Sequence, residues 1–257
     1  MKTSRNTKAR RAAILAVLQQ NGRAGVDTLA SMFDTTPQTI RKDLSVLSED
    51  GQVMRFHGGA SLLGGTEYVR YEVRKEIARD EKERIGRAAA MEIPNNAAVF
   101  INAGTTTAAV ARNLLHHVGL SVVTDSVSVA NEIRHFAGIE VFVPGGSVRG
   151  SDGVILGDAA VDFIRQFRAD VAIIGAAAIS GDGDLLDYDL REASVARAII
   201  ENARNVILVA DSTKFDRLAP VCIGQINQVR TLITDRGCPR GLRQLCKTHG
   251  VGLIEAT

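Results

Sequence analysis

From Glu81 onward the sequence alternates short apolar runs with amphipathic segments, and most runs end in glycine or small polar residues. The runs are Ala97–Ile101, Ser121–Thr124, Ile139–Val143, Val171–Ile174, Val206–Ala210 and Thr231–Thr234. Such unbroken apolar character marks strands buried on both faces, as parallel strands are. Between them, segments such as Ala108–Leu115 and Glu192–Ala203 carry apolar residues at helical spacing. Strand and helix in regular alternation imply a doubly wound α/β sheet. The chain is 45% hydrophobic with 24 glycines, 4% aromatic and no Trp. That composition suits an Ala, Val, Ile and Leu core with many tight turns.

The turns after these runs carry the chemistry. The first run leads into Asn102 and then Gly104, Thr105, Thr106 and Thr107 at the head of a helix. The second ends in Asp125 and Ser126, the third in Pro144, Gly145 and Gly146, the fourth in Gly175, and the fifth in Asp211 to Lys214. In open α/β sheets ligands bind outside the carboxyl ends of the strands, so these turns should share one cleft. A Gly-Thr-Thr-Thr turn at a helix start offers backbone N–H groups, hydroxyls and the positive end of the helix dipole. With the charge of Lys214, this suits a phosphate monoester. Each turn taken alone is more often an ordinary N-cap or loop than a ligand contact. The pattern is neither a Walker A loop nor Gly-x-Gly-x-x-Gly, so no nucleotide or dinucleotide cofactor is implied. Asp182-Gly-Asp184 lacks a calcium-loop pattern and reads as a turn.

The first sixty residues have a different organisation. Ile14, Leu15 and Leu18 share one helical face, with Asn21-Gly22 as its stop. Val26, Leu29, Ala30 and Phe33 make a second short helix. Thr36 then caps a third, with Pro37 at its first position and Ile40, Leu44 and Leu47 as its buried stripe. The opposite face presents Gln38, Lys42 and Ser45, flanked by Thr39 and Arg41. Gln pairs with adenine, Arg or Lys with guanine, and hydroxyls with phosphates. Gln52–Phe56 and Ala60–Leu63 flank His57-Gly58-Gly59 as a hairpin, the wing of a winged helix-turn-helix. A three-helix scaffold with a merely solvated polar face is the bland alternative. His57 is either a phosphate contact or a turn residue.

Charge separates the two parts. Residues 1–60 hold nine Lys/Arg against five Asp/Glu, and the remainder 22 against 24. A basic head on a mildly acidic body fits nucleic-acid binding by the head. Cys222, Cys238 and Cys246 are widely spaced and odd in number, which reads as reduced thiols without a metal site or disulfide framework. With no signal-type segment or membrane-length apolar run, a cytoplasmic protein is expected.

The run Thr36–Leu44, followed by Arg55–Ala60, resembles the N-terminal signature of the DeoR family of bacterial transcription repressors. Lys42 stands where that family usually has Arg, which keeps the charge but loses the planar fork. The resemblance continues to about Asp235 through Glu81–Ile85, Ile93–Asn95, Asp162–Arg168, Asp182–Asp189 and Arg197–Asn202. Asn102 and Asp125 depart from it, standing where Asp and Asn are usual, either as a compensating exchange across the cleft or as a change of effector. The resemblance implies a repressor of carbohydrate or glycerol genes, working as a homo-oligomer, dimer or tetramer, on double-stranded DNA. It also implies a sensor domain like the ribose-5-phosphate isomerase and acetyl-CoA-transferase fold, responding to a phosphorylated effector, glycerol 3-phosphate or another sugar phosphate. Expected DNA contacts are Thr36, Gln38, Thr39, Arg41, Lys42, Ser45, Arg55 and His57. Expected effector contacts are Gly104 to Thr107, Asp125, Ser126, Gly145, Gly146, Gly175 and Lys214. The expected domains are 1–61, a linker at 62–80, and a sensor at 81–257. An enzyme reading, a sugar-phosphate isomerase, would need Asp125 or Asp211 as base, but no acid/base pair stands out.

Overall fold

The computed structural model describes residues 2–21, 23–49, 53–56, 58–62 and 71–257. The chain divides into two compact units, Met1–Val69 and Arg70–Thr257.

In the first unit, α1 (Lys2–Asn21), α2 (Val26–Met32) and α3 (Pro37–Glu49) bury the expected stripes. Ile14, Leu18, Val26, Leu29, Ala30, Ile40, Leu44 and Leu47 are all buried. The larger of these contribute roughly 1.5–3 kcal/mol each. The tight connection between α2 and α3 places Asp34 at φ +45°, a left-handed position that Asp tolerates better than most residues. Strands β2 (Val53–Phe56) and β3 (Gly59–Leu62) pair antiparallel as the wing. A third strand, β1 (Arg23–Gly25), pairs with β3, and the Val26 N–H donates to the Gly58 carbonyl at 2.8 Å. The wing is thereby stitched to the start of α2.

The second unit opens with α4 (Tyr71–Glu76), where the sequence suggests only connector, and α5 (Arg79–Met91) follows. Tyr71 is buried, which gives this polar stretch an anchor. The main sheet comprises β4 (Ala98–Ile101), β5 (Leu120–Thr124), β6 (Ile139–Phe142), β9 (Ala169–Ile174), β12 (Ala203–Val209), β14 (Thr231–Thr234) and β15 (Gly252–Glu255). All neighbours are parallel, in the order β15-β14-β12-β9-β4-β5-β6. Side chains alternate between two cores. Val99, Ile101, Val171, Ile173, Ile207 and Val209 face the core that includes Ile85 and Ala89 of α5, Ala108 of α6 (Thr105–Arg112) and Val129 of α7 (Val127–Ile133). Phe100, Ala172, Ile174, Val206 and Leu208 face the other, with residues of α8 (Asp158–Ile164), α9 (Leu190–Glu201) and α10 (Arg240–His249). Helices on both faces give the doubly wound arrangement. Gly86 lets α5 approach α6, since a Cβ there would lie 2.6 Å from the Ala109 carbonyl oxygen.

Two smaller sheets were not evident from sequence. A hairpin joins β7 (Ser147–Val148) and β8 (Ile155–Leu156), and β10 (Ala178–Ile179), β11 (Asp184–Asp187) and β13 (Val221–Gln225) form an antiparallel sheet. Asp182-Gly183 turns the chain between β10 and β11, with Gly183 at φ +88°. Among the described residues no helix is long and apolar enough to cross a membrane.

Candidate nucleic-acid interface and ligand site

On α3, Gln38, Arg41 and Lys42 are exposed, and Thr39 and Ser45 partly so, opposite the buried stripe. Thr36 is the helix cap: its Oγ1 accepts the Thr39 N–H at 3.2 Å and lies 2.9 Å from the Thr39 hydroxyl. Arg55 lies in β2 with its side chain outside the described set, and His57 falls outside it altogether. The sequence reading missed Asp43. It is 2% exposed, and its two oxygens accept from Arg10 Nε at 2.6 Å and Arg11 Nε at 3.0 Å. Two of the basic residues credited to the DNA-facing charge therefore tie α1 to α3. The signal was present: Ile40, Asp43, Leu44 and Leu47 follow i, i+3, i+4, i+7, so an acid sits on the apolar stripe.

In the second unit the strand order reverses between β4 and β9. Later strands add outward from β4 on one side as β5 and β6, and on the other as β9, β12, β14 and β15. Clefts form at the carboxyl end of such a switch point. Asn102 crosses it, its Oδ1 accepting the Gly175 N–H at 3.0 Å. A Cβ on Gly175 would lie 3.6 Å from Thr107 Cγ2, so β4, β9 and the start of α6 converge there. Thr107 is buried, and its hydroxyl lies 2.7 Å from the Asn102 carbonyl and 3.1 Å from that of Gly104. Thr105 and Thr106, also buried, fill the first turn of α6, whose N–H groups lack acceptors within the helix.

Asp125 Oδ1 accepts the Ala103 N–H at 2.7 Å, bracing β5 against the β4 turn. Burial pushes this carboxyl up to about 7. Ser126 caps α7, its Oγ accepting the Val129 N–H at 3.2 Å. Gly145 and Gly146 are exposed and lead into β7, and the facing Ile155 N–H reaches the Asp125 carbonyl at 2.7 Å.

Asp211, just past β12, is fully buried. Its Oδ1 accepts the Thr213 N–H at 3.1 Å and the Thr213 hydroxyl, while its Oδ2 has no hydrogen-bond partner. Lys82 Nζ, itself buried, lies 4.0 Å from that oxygen. Burial pushes the Lys82 ammonium down, against the pull of Asp211. Burial likewise pushes Lys214 down to about 8, with Asp211 opposing it and Lys82, Arg217 and Arg74 reinforcing it. Arg74, from α4, lies 3.6 Å from Asp152, and its Nε is buried without a hydrogen-bond partner. Arg149 binds Asp152 at 2.6 Å, Asp189 at 3.3 Å and, closely, Glu192. Burial, then the neighbouring Asp187, pushes Glu192 up to about 7.

Hydrogen bonds join the turns after β4, β5 and β9, while the turn after β12 is tied instead to Asp235, which accepts from Ser212. The cations Arg74, Lys82 and Arg149 come from outside those turns and were not found by reading them. Lys82 and Lys214 neighbour the Asp211 carboxylate, and Arg74, paired with Asp152, lies near both lysines. Among the described residues no cluster could hold a metal ion.

Comparison with known proteins fits this arrangement. A DeoR-like helix-turn-helix domain matches residues 10–65, and the DeoR C-terminal sensor domain matches residues 77–236. The chain belongs to the DeoR family. It is 41% identical over 240 residues to the glycerol-3-phosphate regulon repressor of Escherichia coli, covering 93% of this chain and 95% of that protein. The protein of the same name from Haemophilus influenzae is 41% identical over 241 residues, with 94% of each covered. The transcriptional repressor CsqR of Escherichia coli is 37% identical, covering 94% and 92%. Among solved structures, ribose 5-phosphate isomerase A of Methanocaldococcus jannaschii matches 55% of this DeoR-family chain and 56% of its own at TM-score 0.41 and 13% identity. The delta subunit of eIF2B from Chaetomium thermophilum matches 88% and 70% at 0.45 and 15%.

Proposed function

We propose that this DeoR-family regulator represses genes of carbohydrate or glycerol metabolism in the cytoplasm, and that a phosphorylated effector, glycerol 3-phosphate, releases it from its operator. The observation that carries the effector half is the grouping of Lys82, Lys214 and Arg74 past the carboxyl end of β12 in a sensor domain. The chain's relatives at 41% identity include glycerol-3-phosphate regulon repressors. In the head, Gln38, Thr39, Arg41 and Lys42 read bases, and Ser45, Arg55 and His57 contact the backbone. A homo-oligomer, dimer or tetramer, sets paired heads on repeated half-sites. Effector and DNA must then weaken each other by the same factor, typically about 5–150-fold.

The test is operator binding at fixed salt with and without glycerol 3-phosphate, repeated across a panel of sugar phosphates. Unchanged affinity with every member refutes effector control and leaves DNA binding standing. A second reading is a different sugar phosphate, and the same panel separates the two. An isomerase is disfavoured because the relatives at 37–41% identity are transcriptional repressors, and turnover of a pentose or triose phosphate would revive it.

A further inference from the structure

Lys82 holds together parts of the chain with different tasks. Its Nζ donates to the Arg74 carbonyl at 2.6 Å and to the Ile77 carbonyl at 2.7 Å, fastening the end of α4 to the start of α5. The same Nζ lies 4.0 Å from Asp211 Oδ2, at the ligand site. An ammonium has three N–H donors, and two are committed to the junction. The junction itself is under tension: Ala78 sits at φ +52°, a left-handed conformation that a residue with a Cβ keeps only where its surroundings impose it. Arg74, whose carbonyl Lys82 grips, sends its side chain towards Asp152. In sequence, α4 is the first helix after the stretch that follows the wing.

We infer that Lys82 is a latch: it fastens the α4–α5 junction, and an anion bound among Arg74, Lys82 and Lys214 draws it off the Arg74 and Ile77 carbonyls. The inference rests on the effector reading above and supplies its means of transmission. A phosphate competes well for the ammonium, because it adds ion–ion attraction to the hydrogen bond, where a carbonyl offers only a dipole. Once the carbonyls are freed, the junction keeps only the Lys82 N–H to the Ala78 carbonyl at 2.9 Å, and α4 can shift with Arg74. The two positions of Lys82 give the ligand the differential contact that any population shift requires.

Two variants of the full-length protein test this with opposite signs, using an operator fragment and glycerol 3-phosphate as probe. Ala78→Gly touches no ligand and relieves the fastened form alone. It should raise the glycerol 3-phosphate concentration for half-release about three- to tenfold. Lys82→Met removes the latch, so operator affinity without effector should fall to the level that saturating glycerol 3-phosphate produces in the wild type, with no further response. An Ala78→Gly release curve superimposed on the wild type overturns the latch, as does a folded Lys82→Met protein that binds operator like the wild type. If Lys82→Met does not fold by circular dichroism, Ala78→Gly decides. A wild type unresponsive to every member of the panel sinks the effector reading and the latch together, and that failure is visible before either variant is made.

Discussion

The Asn102 amide oxygen accepts the Gly175 N–H at 3.0 Å across the point where the order of the parallel strands reverses. It joins the turn after β4 to the turn after β9, and the start of α6 depends on it. Removing the acceptor leaves a half-buried N–H unpaired, at a cost of about 1–3 kcal/mol. Asn102→Ala should therefore lower the melting temperature of the sensor by about 2–4 °C per kcal/mol. Weakened effector binding should accompany it in calorimetry, while an unchanged melting curve would remove this brace from the account.

Asp43 accounts for part of the head's basic excess. Its carboxylate takes Nε of both Arg10 and Arg11, whose side chains remain 20% and 27% exposed. Loss of the buried acceptor should cost about 1–3 kcal/mol, less than for a fully buried pair because water reaches both arginines. In Asp43→Asn, operator affinity should fall at least tenfold as α3 loses its anchor. Binding to random-sequence DNA at low salt should stay level or rise, because the head gains one net positive charge. A parallel fall in both affinities would point to simple unfolding, which urea denaturation checks independently.

The main sheet could be read from sequence because its strands are buried on both faces and therefore appear as unbroken apolar runs. The antiparallel sheet was not legible: β10 is two residues long and β11 only four, and Asp182-Gly183 reads equally as any turn. β15 was missed for a similar reason, since Gly252–Glu255 is short and only half-buried. Within the candidate site, residues at the strand ends could be located because topology dictates where such ends meet. Arg74 and Lys82 could not, because α4 and α5 bring them there from a stretch without clear apolar periodicity. Asp43 is the intermediate case, visible only if a charged residue on an apolar stripe is taken as a demand for a partner.

Burial shifts Asp125 and Glu192 up to about 7 and Lys214 down to about 8, so the sensor should be measurably pH-sensitive. For the two carboxyls the folded state binds protons more tightly than the unfolded chain. Their contribution to stability is therefore fully present below the ordinary carboxylate range and is lost as pH rises through about 7. Lys214 has the opposite sign: its burial penalises the folded state below about pH 8 and is relieved as pH rises towards the ordinary lysine range. Denaturant melts of the sensor should accordingly weaken from pH 5 to 7 and recover above 8. Removing both acids with Asp125→Asn and Glu192→Gln should flatten the acid limb, and a limb that persists would assign it to other groups.

Gly86 sets the distance between α5, which carries Lys82, and α6, which begins with Thr105. A methyl group at 2.6 Å from the Ala109 carbonyl oxygen cannot be accommodated without moving one helix. Such overpacking typically costs about 1–3 kcal/mol. Ala would otherwise favour a helix interior by about 1 kcal/mol, so the net effect separates packing from propensity. Gly86→Ala should lower the sensor's melting temperature and weaken effector binding, because the displaced helices carry both the ammonium and the amide groups of the site. A variant more stable than the wild type would mean that the helices separate freely, and the close α5–α6 contact would then not be what positions Lys82.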